Sequence, residues 1–189
     1  MRITGGNLGG RNLVSPGNMA VRPTSDRARQ AIFNILAHKD FGIDFTLEGI
    51  AVADLFAGSG ALGIEAISRG ARYCLFVDED ADSRALQREN VEGLGLTGMT
   101  KIWRRDATDL GPFNTGSGGP FGLAFLDPPY GKNLIPPALK SLSEGGWLTA
   151  NALVVVETGA EETFDHGGFT LLDERHYGLA RIAFLTAPE

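Results

Sequence analysis

From residue 50 onward short apolar runs alternate with segments of helical spacing, and no other feature constrains the fold so tightly. IAVADLF is followed by ALGIEAISRG, YCLFVD by ADSRALQRENVEGLG, and LAFLD by NLIPPALKSLSEGG, a helix that its prolines should interrupt early. KIWRRD is a weaker strand and ALVVVET another strong one. Continuously apolar strands are buried on both faces, and separated by helices they belong to a parallel sheet between helical layers. The tail, FTLLDERHYGLARIAFL, reads as two strands about a Tyr177-Gly178 turn, an antiparallel hairpin at the sheet edge. The expectation is an α/β, mostly parallel doubly wound sheet with a C-terminal antiparallel hairpin. One domain spans residues 1–189, with its catalytic core in 50–189.

The turn after the first strand is chemically informative. DLFAGSGALG places Gly58, Gly60 and Gly63 in G-x-G-x-x-G spacing between a strand and a helix, and Asp78 ends the next strand 20 residues beyond Gly58. Glycines there admit a close backbone approach, and the acid suits a ribose diol, as in dinucleotide sites. Asp54 narrows the cofactor. A carboxylate just before the turn repels a pyrophosphate but suits an ammonium group. S-adenosylmethionine offers a ribose diol, a cationic tail and no phosphate. Asp106, after the third strand, could accept from the adenine amine. The glycine cluster GPFNTGSGGPFG precedes a strand, at the end of the sheet where such ligands do not bind, and is read as a connection.

Asp127 also ends a strand, in FLDPPYGKN. Pro128 and Pro129 lack N–H groups and have fixed φ, so the Asp127 carboxylate and the Pro128 carbonyl become two acceptors in rigid relation. A primary amine on a conjugated ring needs two acceptors, one for each N–H, if its lone pair is to be turned toward an electrophile. Tyr130 offers a ring for stacking. No strong base is needed, because the amine can lose its proton after attack. His38, His166 and His176 lie far apart, and no metal-ligand spacing, nucleophile elbow or Walker sequence occurs.

Charge sets the N-terminal part apart. The chain carries −6 overall, yet Arg2, Arg11, Arg22, Arg27, Arg29 and Lys39 against Asp26 and Asp40 give residues 1–40 a net +4, leaving −10 in the other 149. Such asymmetry points to a basic arm on an acidic body. Residues 1–23 read as turns and short extended pieces. Thr24 or Ser25 then caps a helix whose apolar stripe is Ala28, Ala31, Ile32, Ile35 and Leu36, with Arg27 and Arg29 on a face that does not pack. The lone Cys74 sits in a buried strand as a core residue. Without an 18-residue apolar run or a signal segment, a cytoplasmic protein free of membrane is expected.

Four blocks, RITGGNLGGRNL, RPTSDRARQAIFNIL, DLFAGSGALGIEAISRGA and LDPPY, resemble the bacterial 16S rRNA guanine-N2 methyltransferases of the RsmD family, from Arg2 to about Leu185. The resemblance implies a Rossmann-like class I S-adenosylmethionine-dependent methyltransferase whose product is N2-methylguanine in small-subunit rRNA. It implies cofactor contacts at Asp54, Ala57, Gly58, Gly60, Asp78, Asp106 and Ala107. Asp127, Pro128, Pro129 and Tyr130 would hold the target amine. Arg2, Arg11, Arg22, Thr24, Arg27 and Arg29 would face the RNA or the mouth of the site. The partner would be an assembled or assembling ribosomal particle, and a monomer without metal is expected. The residues alone leave open adenine N6 or a glutamine amide as acceptor, a nicotinamide-dependent oxidoreductase on the glycine turn, and a non-catalytic RNA-binding protein.

Overall fold

The computed structural model describes residues 1–17 and 24–189. Its elements run α1 (Asp26–His38), β1 (Ala51–Leu55), α2 (Ala61–Ser68), β2 (Tyr73–Val77), α3 (Ala81–Gly93), β3 (Thr100–Trp103), β4 (Phe121–Leu126), α4 (Ile135–Glu144), β5 (Leu148–Gly159), β6 (Thr170–Tyr177) and β7 (Ala180–Thr186). The strands form one seven-stranded sheet in the order β3-β2-β1-β4-β5-β7-β6. The first five are parallel, and β7 runs antiparallel to both β5 and β6. The expected edge hairpin is present, turning at Gly178 and Leu179. No helix among the described residues is long and apolar enough to cross a membrane.

Strand side chains point alternately to the two faces, which gives the sheet two separate cores. Val52, Cys74, Phe76, Leu123, Phe125, Leu153 and Val155 pack under α1 and α2. Ala53, Leu75, Val77, Ala124, Leu126, Val154 and Val156 pack on the other face with α4 and Trp147. Cys74 is fully buried in the first core, as expected for a small apolar residue. The prolines do not interrupt α4. Pro136 and Pro137 sit at its start, where backbone N–H groups have no helical partner to lose. The glycine cluster at 111–122 is a connection at the N-terminal end of β4, with one 3-10 turn at Thr115–Ser117.

Helix α1 departs from expectation. Ser25 is its N-cap, accepting the Ala28 N–H at 3.1 Å, but the buried face comprises Ala28, Arg29, Ile32, Phe33 and Leu36. The apolar stripe is therefore rotated toward Phe33, whose ring meets Phe125 at 5.6 Å, and Arg29 lies inside the contact rather than off it. Its guanidinium is completely buried. It donates to Glu65 at 3.1 Å, Asp26 at 2.9 Å, the Thr24 carbonyl at 3.3 Å and the Arg2 carbonyl. Glu65, also fully buried, accepts in addition from the Thr4 N–H and hydroxyl and from Arg69.

The N-terminal residues are consequently no free arm. Arg2 and Asn12 form an antiparallel bridge, and this loop is fixed to α2 by Asn7 N–H to the Ser68 carbonyl at 2.7 Å and Leu8 N–H to Ser68 Oγ at 2.9 Å. Gly6, at φ 75°, lies against the Ser68 backbone so closely that any Cβ would collide with it.

Candidate active site

The strand period explains why the acids converge. Asp54 follows Val52, Asp78 follows Phe76, Asp127 follows Phe125 and Glu157 follows Val155, so all four continue the same face of the sheet at its carboxyl end. Parallel pairing sets Leu126 opposite Val156, which brings Asp127 level with Glu157 on the neighbouring strand. This is the crevice where ligands bind in open α/β sheets.

On the cofactor side, Phe56 and Gly58 both adopt left-handed backbone, with φ 55° each, to turn the chain from β1 into α2. For Phe56 that conformation is strained, a feature that concentrates at functional sites. A Cβ on Gly58 would meet no atom within 4 Å, so the turn opens onto free space. Gly63 serves packing instead: a Cβ there would lie 2.5 Å from Cys74 Sγ and Phe76 Cε1. From below, Gln87 Nε2 donates to the Gly58 carbonyl at 2.9 Å and Asn90 Nδ2 to the Ser59 carbonyl at 3.0 Å. Asp78 Oδ2 accepts the Gly58 N–H at 2.9 Å, which ties the end of β2 to the turn.

Asp54 Oδ2 takes the Gly63 N–H at 2.9 Å and so caps α2 from the strand. Burial pushes its carboxyl up to about 8, against the opposing hydrogen bond from Gly63 and with a further push from the Asp78 charge. Burial likewise raises Asp78, opposed by the Asp80 and Gly58 N–H groups. Two acids held above the usual carboxylate range by burial, beside an open glycine turn, fit a ligand with a diol and an ammonium. Asp106 Oδ1 accepts the Thr108 N–H at 2.8 Å and hydroxyl at 2.7 Å, a local turn beyond β3, and Ala107 is buried in the second core.

On the acceptor side, Pro128 is buried and Pro129 exposed, and Tyr130 projects with 42% of its surface accessible. The Tyr130 hydroxyl donates to Glu157 Oε1 at 2.9 Å. Thr24 Oγ1 lies 3.0 Å from Asp127 Oδ2 and 2.7 Å from Glu157 Oε2. Loss of hydration raises the Asp127 carboxyl well above the usual range, and the charges of Glu157 and Asp54 add to this while the Thr24 hydroxyl opposes it. A pocket of about 140 Å³ opens beside these groups, walled by Pro128, Tyr130, Asn133, Glu157, Thr158 and Phe164. Glu162 closes its base, accepting the Gly131 N–H at 2.6 Å and the Gly159 N–H at 2.7 Å.

The basic set is divided by the structure. Arg2, Arg11 and Arg27 are exposed. Arg29 is corrected from an RNA-facing residue to a buried structural cation, because its face of α1 is the one that packs. Thr24 turns inward to the acceptor acids, at the mouth of the site rather than on an outer RNA face. Arg22 lies outside the described residues. Sequence reasoning missed Glu157, whose only signal was an acid ending the apolar run ALVVVET, and Glu65, hidden within an otherwise apolar helix.

A family model described as "Conserved hypothetical protein 95" matches residues 1–186. The Escherichia coli (strain K12) protein named "Ribosomal RNA small subunit methyltransferase D" is 34% identical over 163 residues, covering 85% of this chain and 76% of the relative. The solved structure titled "Putative methyltransferase yhhF from Escherichia coli" superposes with TM-score 0.79 at 30% identity, covering 100% of this chain and 98% of that one. An RNA methyltransferase from Salinibacter ruber, solved in complex with S-adenosyl-L-homocysteine, shares the fold at TM-score 0.61 and 18% identity, over 88% of this chain and 94% of that one. A seven-stranded Rossmann-like sheet, a glycine turn flanked by acids, and a match along nearly its whole length place the chain in the Conserved hypothetical protein 95 family, the RsmD family.

Proposed function

We propose that this protein transfers a methyl group from S-adenosylmethionine to the exocyclic N2 amine of a guanine in small-subunit ribosomal RNA. Family membership supports the coarser statement, that it is an S-adenosylmethionine-dependent rRNA methyltransferase. The observation that supports guanine is the cluster of acceptors at the site, the Asp127 and Glu157 carboxylates beside the Pro128 carbonyl. Guanine shows adjacent N1–H and N2–H₂ donors on its pairing edge, whereas adenine places an acceptor at N1. Carboxylates and a proline carbonyl match the donors of guanine and themselves offer none to adenine N1.

The bound cofactor supplies an electrophilic methyl carbon on a cationic sulfur, which keeps the electrons of the broken carbon–sulfur bond. Asp54, Ala57, Gly58, Gly60, Asp78, Asp106 and Ala107 would hold it. Asp127 and the Pro128 carbonyl would each take one N–H of the amine, directing its lone pair toward the crevice, while Tyr130 would stack on the base. The target base would leave its stack to reach them, at a cost of a few kcal/mol. Arg2, Arg11 and Arg27 would contact the RNA of an assembled or assembling particle, by a monomer.

Incubation with labelled cofactor and undermethylated small subunits, naked rRNA, DNA and protein tests this. Label in N2-methylguanosine is expected; label only in DNA or protein would overturn it. Asp127→Ala should lower turnover by ~10²-fold or more, with cofactor affinity little changed.

A further inference from the structure

The Thr24 hydroxyl has one proton and two carboxyl neighbours, Asp127 Oδ2 at 3.0 Å and Glu157 Oε2 at 2.7 Å. It can donate to only one of them. The other contact is a hydrogen bond only if that carboxyl carries a proton and donates to the Thr24 oxygen. The shorter contact goes to Glu157, which also receives the Tyr130 hydroxyl at 2.9 Å on its other oxygen. Two hydroxyls make Glu157 the acceptor in both of these contacts, so the single Thr24 proton is directed to it. Asp127 is then the protonated one, and the chain reads Asp127 O–H to Thr24 O–H to the Glu157 carboxylate. The groups facing this chain agree with it. Among the described residues neither Asp127 nor Glu157 has an ion-pair partner.

We propose that Glu157 is the terminal acceptor of the proton lost by the target amine, reached through Asp127 and the Thr24 hydroxyl. On methylation the N–H electron pair stays on nitrogen and its proton goes to Asp127 Oδ1. Asp127 passes its Oδ2 proton to Thr24, and Thr24 passes its own to Glu157. The amine loses one proton and Glu157 gains one; Thr24 ends as it began, and Asp127 still carries one proton, now on Oδ1. Glu157 is a positioning residue in this scheme, acting on the amine only through its neighbours. The scheme rests on the acceptor site proposed above, so its test includes a measurement made without RNA.

In the full chain, carboxyl carbon NMR of Asp127 should show titration above the ordinary carboxylate range, shifted downward in Glu157→Gln, where the neighbouring charge is gone. With small subunits, single-turnover rates should fall about tenfold or more in Glu157→Gln, consistent with loss of proton-transfer assistance, while the affinity for S-adenosylmethionine stays the same. The acid limb of the pH–rate profile should move to lower pH. Thr24→Ser keeps the hydroxyl and should keep the wild-type profile; Thr24→Val breaks the link between the two carboxyls and should lower the single-turnover rate as Glu157→Gln does. A Glu157→Gln variant of wild-type melting temperature whose Asp127 titration and acid limb are both unmoved would overturn the relay. A wild-type protein that shows the coupled titration but methylates no rRNA would instead overturn the acceptor assignment and leave the proton sharing intact.

Discussion

Asp54 carries two duties that pull against each other. It caps α2 through the Gly63 N–H, which favours its charged form, yet it is almost wholly removed from water, which favours the neutral one. Burial wins, and the carboxyl rises to about 8 from 3.8. The native state therefore holds a proton between those values that the unfolded chain has released, so this group lowers stability as pH climbs from about 4 to about 8. A bound ammonium would reverse the balance and drive the proton off. Titration calorimetry with S-adenosylmethionine near pH 7, in buffers of different ionisation enthalpy, should detect release of up to about one proton. Release should fade well above pH 8 and vanish in Asp54→Asn; a heat independent of buffer would refute the pairing. The placement of Asp54, Asp78 and Asp127 was legible in the sequence because strand ends are marked by where an apolar run stops. Glu157 was not, because its value depends on β5 lying beside β4 in a register that only the fold supplies.

At the level of elements, α1 and α2 are joined by ionic contacts rather than by apolar packing alone. Arg29 and Glu65 are both fully buried, and Glu65 gathers the N-terminal loop, α1 and α2 onto one carboxylate. Breaking such a pair from one side leaves a charge without compensation. Arg29→Ala is expected to destabilise the fold by about 3–5 kcal/mol, measured by chemical denaturation. A loss under about 1 kcal/mol would show that the network contributes little, as exposed pairs usually do. This element was misjudged from sequence for a definite reason. The expected stripe of Ala28, Ala31, Ile32, Ile35 and Leu36 shares Ala28, Ile32 and Leu36 with the face that packs, and differs by having Ala31 and Ile35 in place of Arg29 and Phe33. Only the buried Glu65 makes that face acceptable with an arginine in it. The mostly parallel sheet and the C-terminal hairpin were legible because continuous apolar runs and alternating ones differ in period.

Across the whole molecule the surface charge is more modest than the sequence suggests. Of the six N-terminal basic residues, Arg29 is neutralised internally and Lys39 lies 3.6 Å from Asp173, so the exposed set is Arg2, Arg11 and Arg27 among the described residues. Neutralising these three together should weaken RNA binding and reduce the slope of log affinity against log salt by about two to three. Equilibrium binding of rRNA across a salt series reads this directly, and an unchanged slope would place the RNA contact elsewhere. The link between Thr24 and Glu157 spans 133 residues, and that between Thr24 and Asp127 spans 103. Contacts of such separation form only after most of the chain exists. The side-chain hydrogen bonds to the glycine turn, by contrast, come from the end of β2 and from α3, close in sequence. β5 is flanked by β4 and by β7, the last strand of the chain. During synthesis the cofactor side can take shape while the acceptor side still awaits β5 and β7. Under the proposed relay, a copy ending before β5 would retain the elements of the methyl-donor cradle and Asp127 but lack Glu157, so it would hold the donor without the terminal proton acceptor.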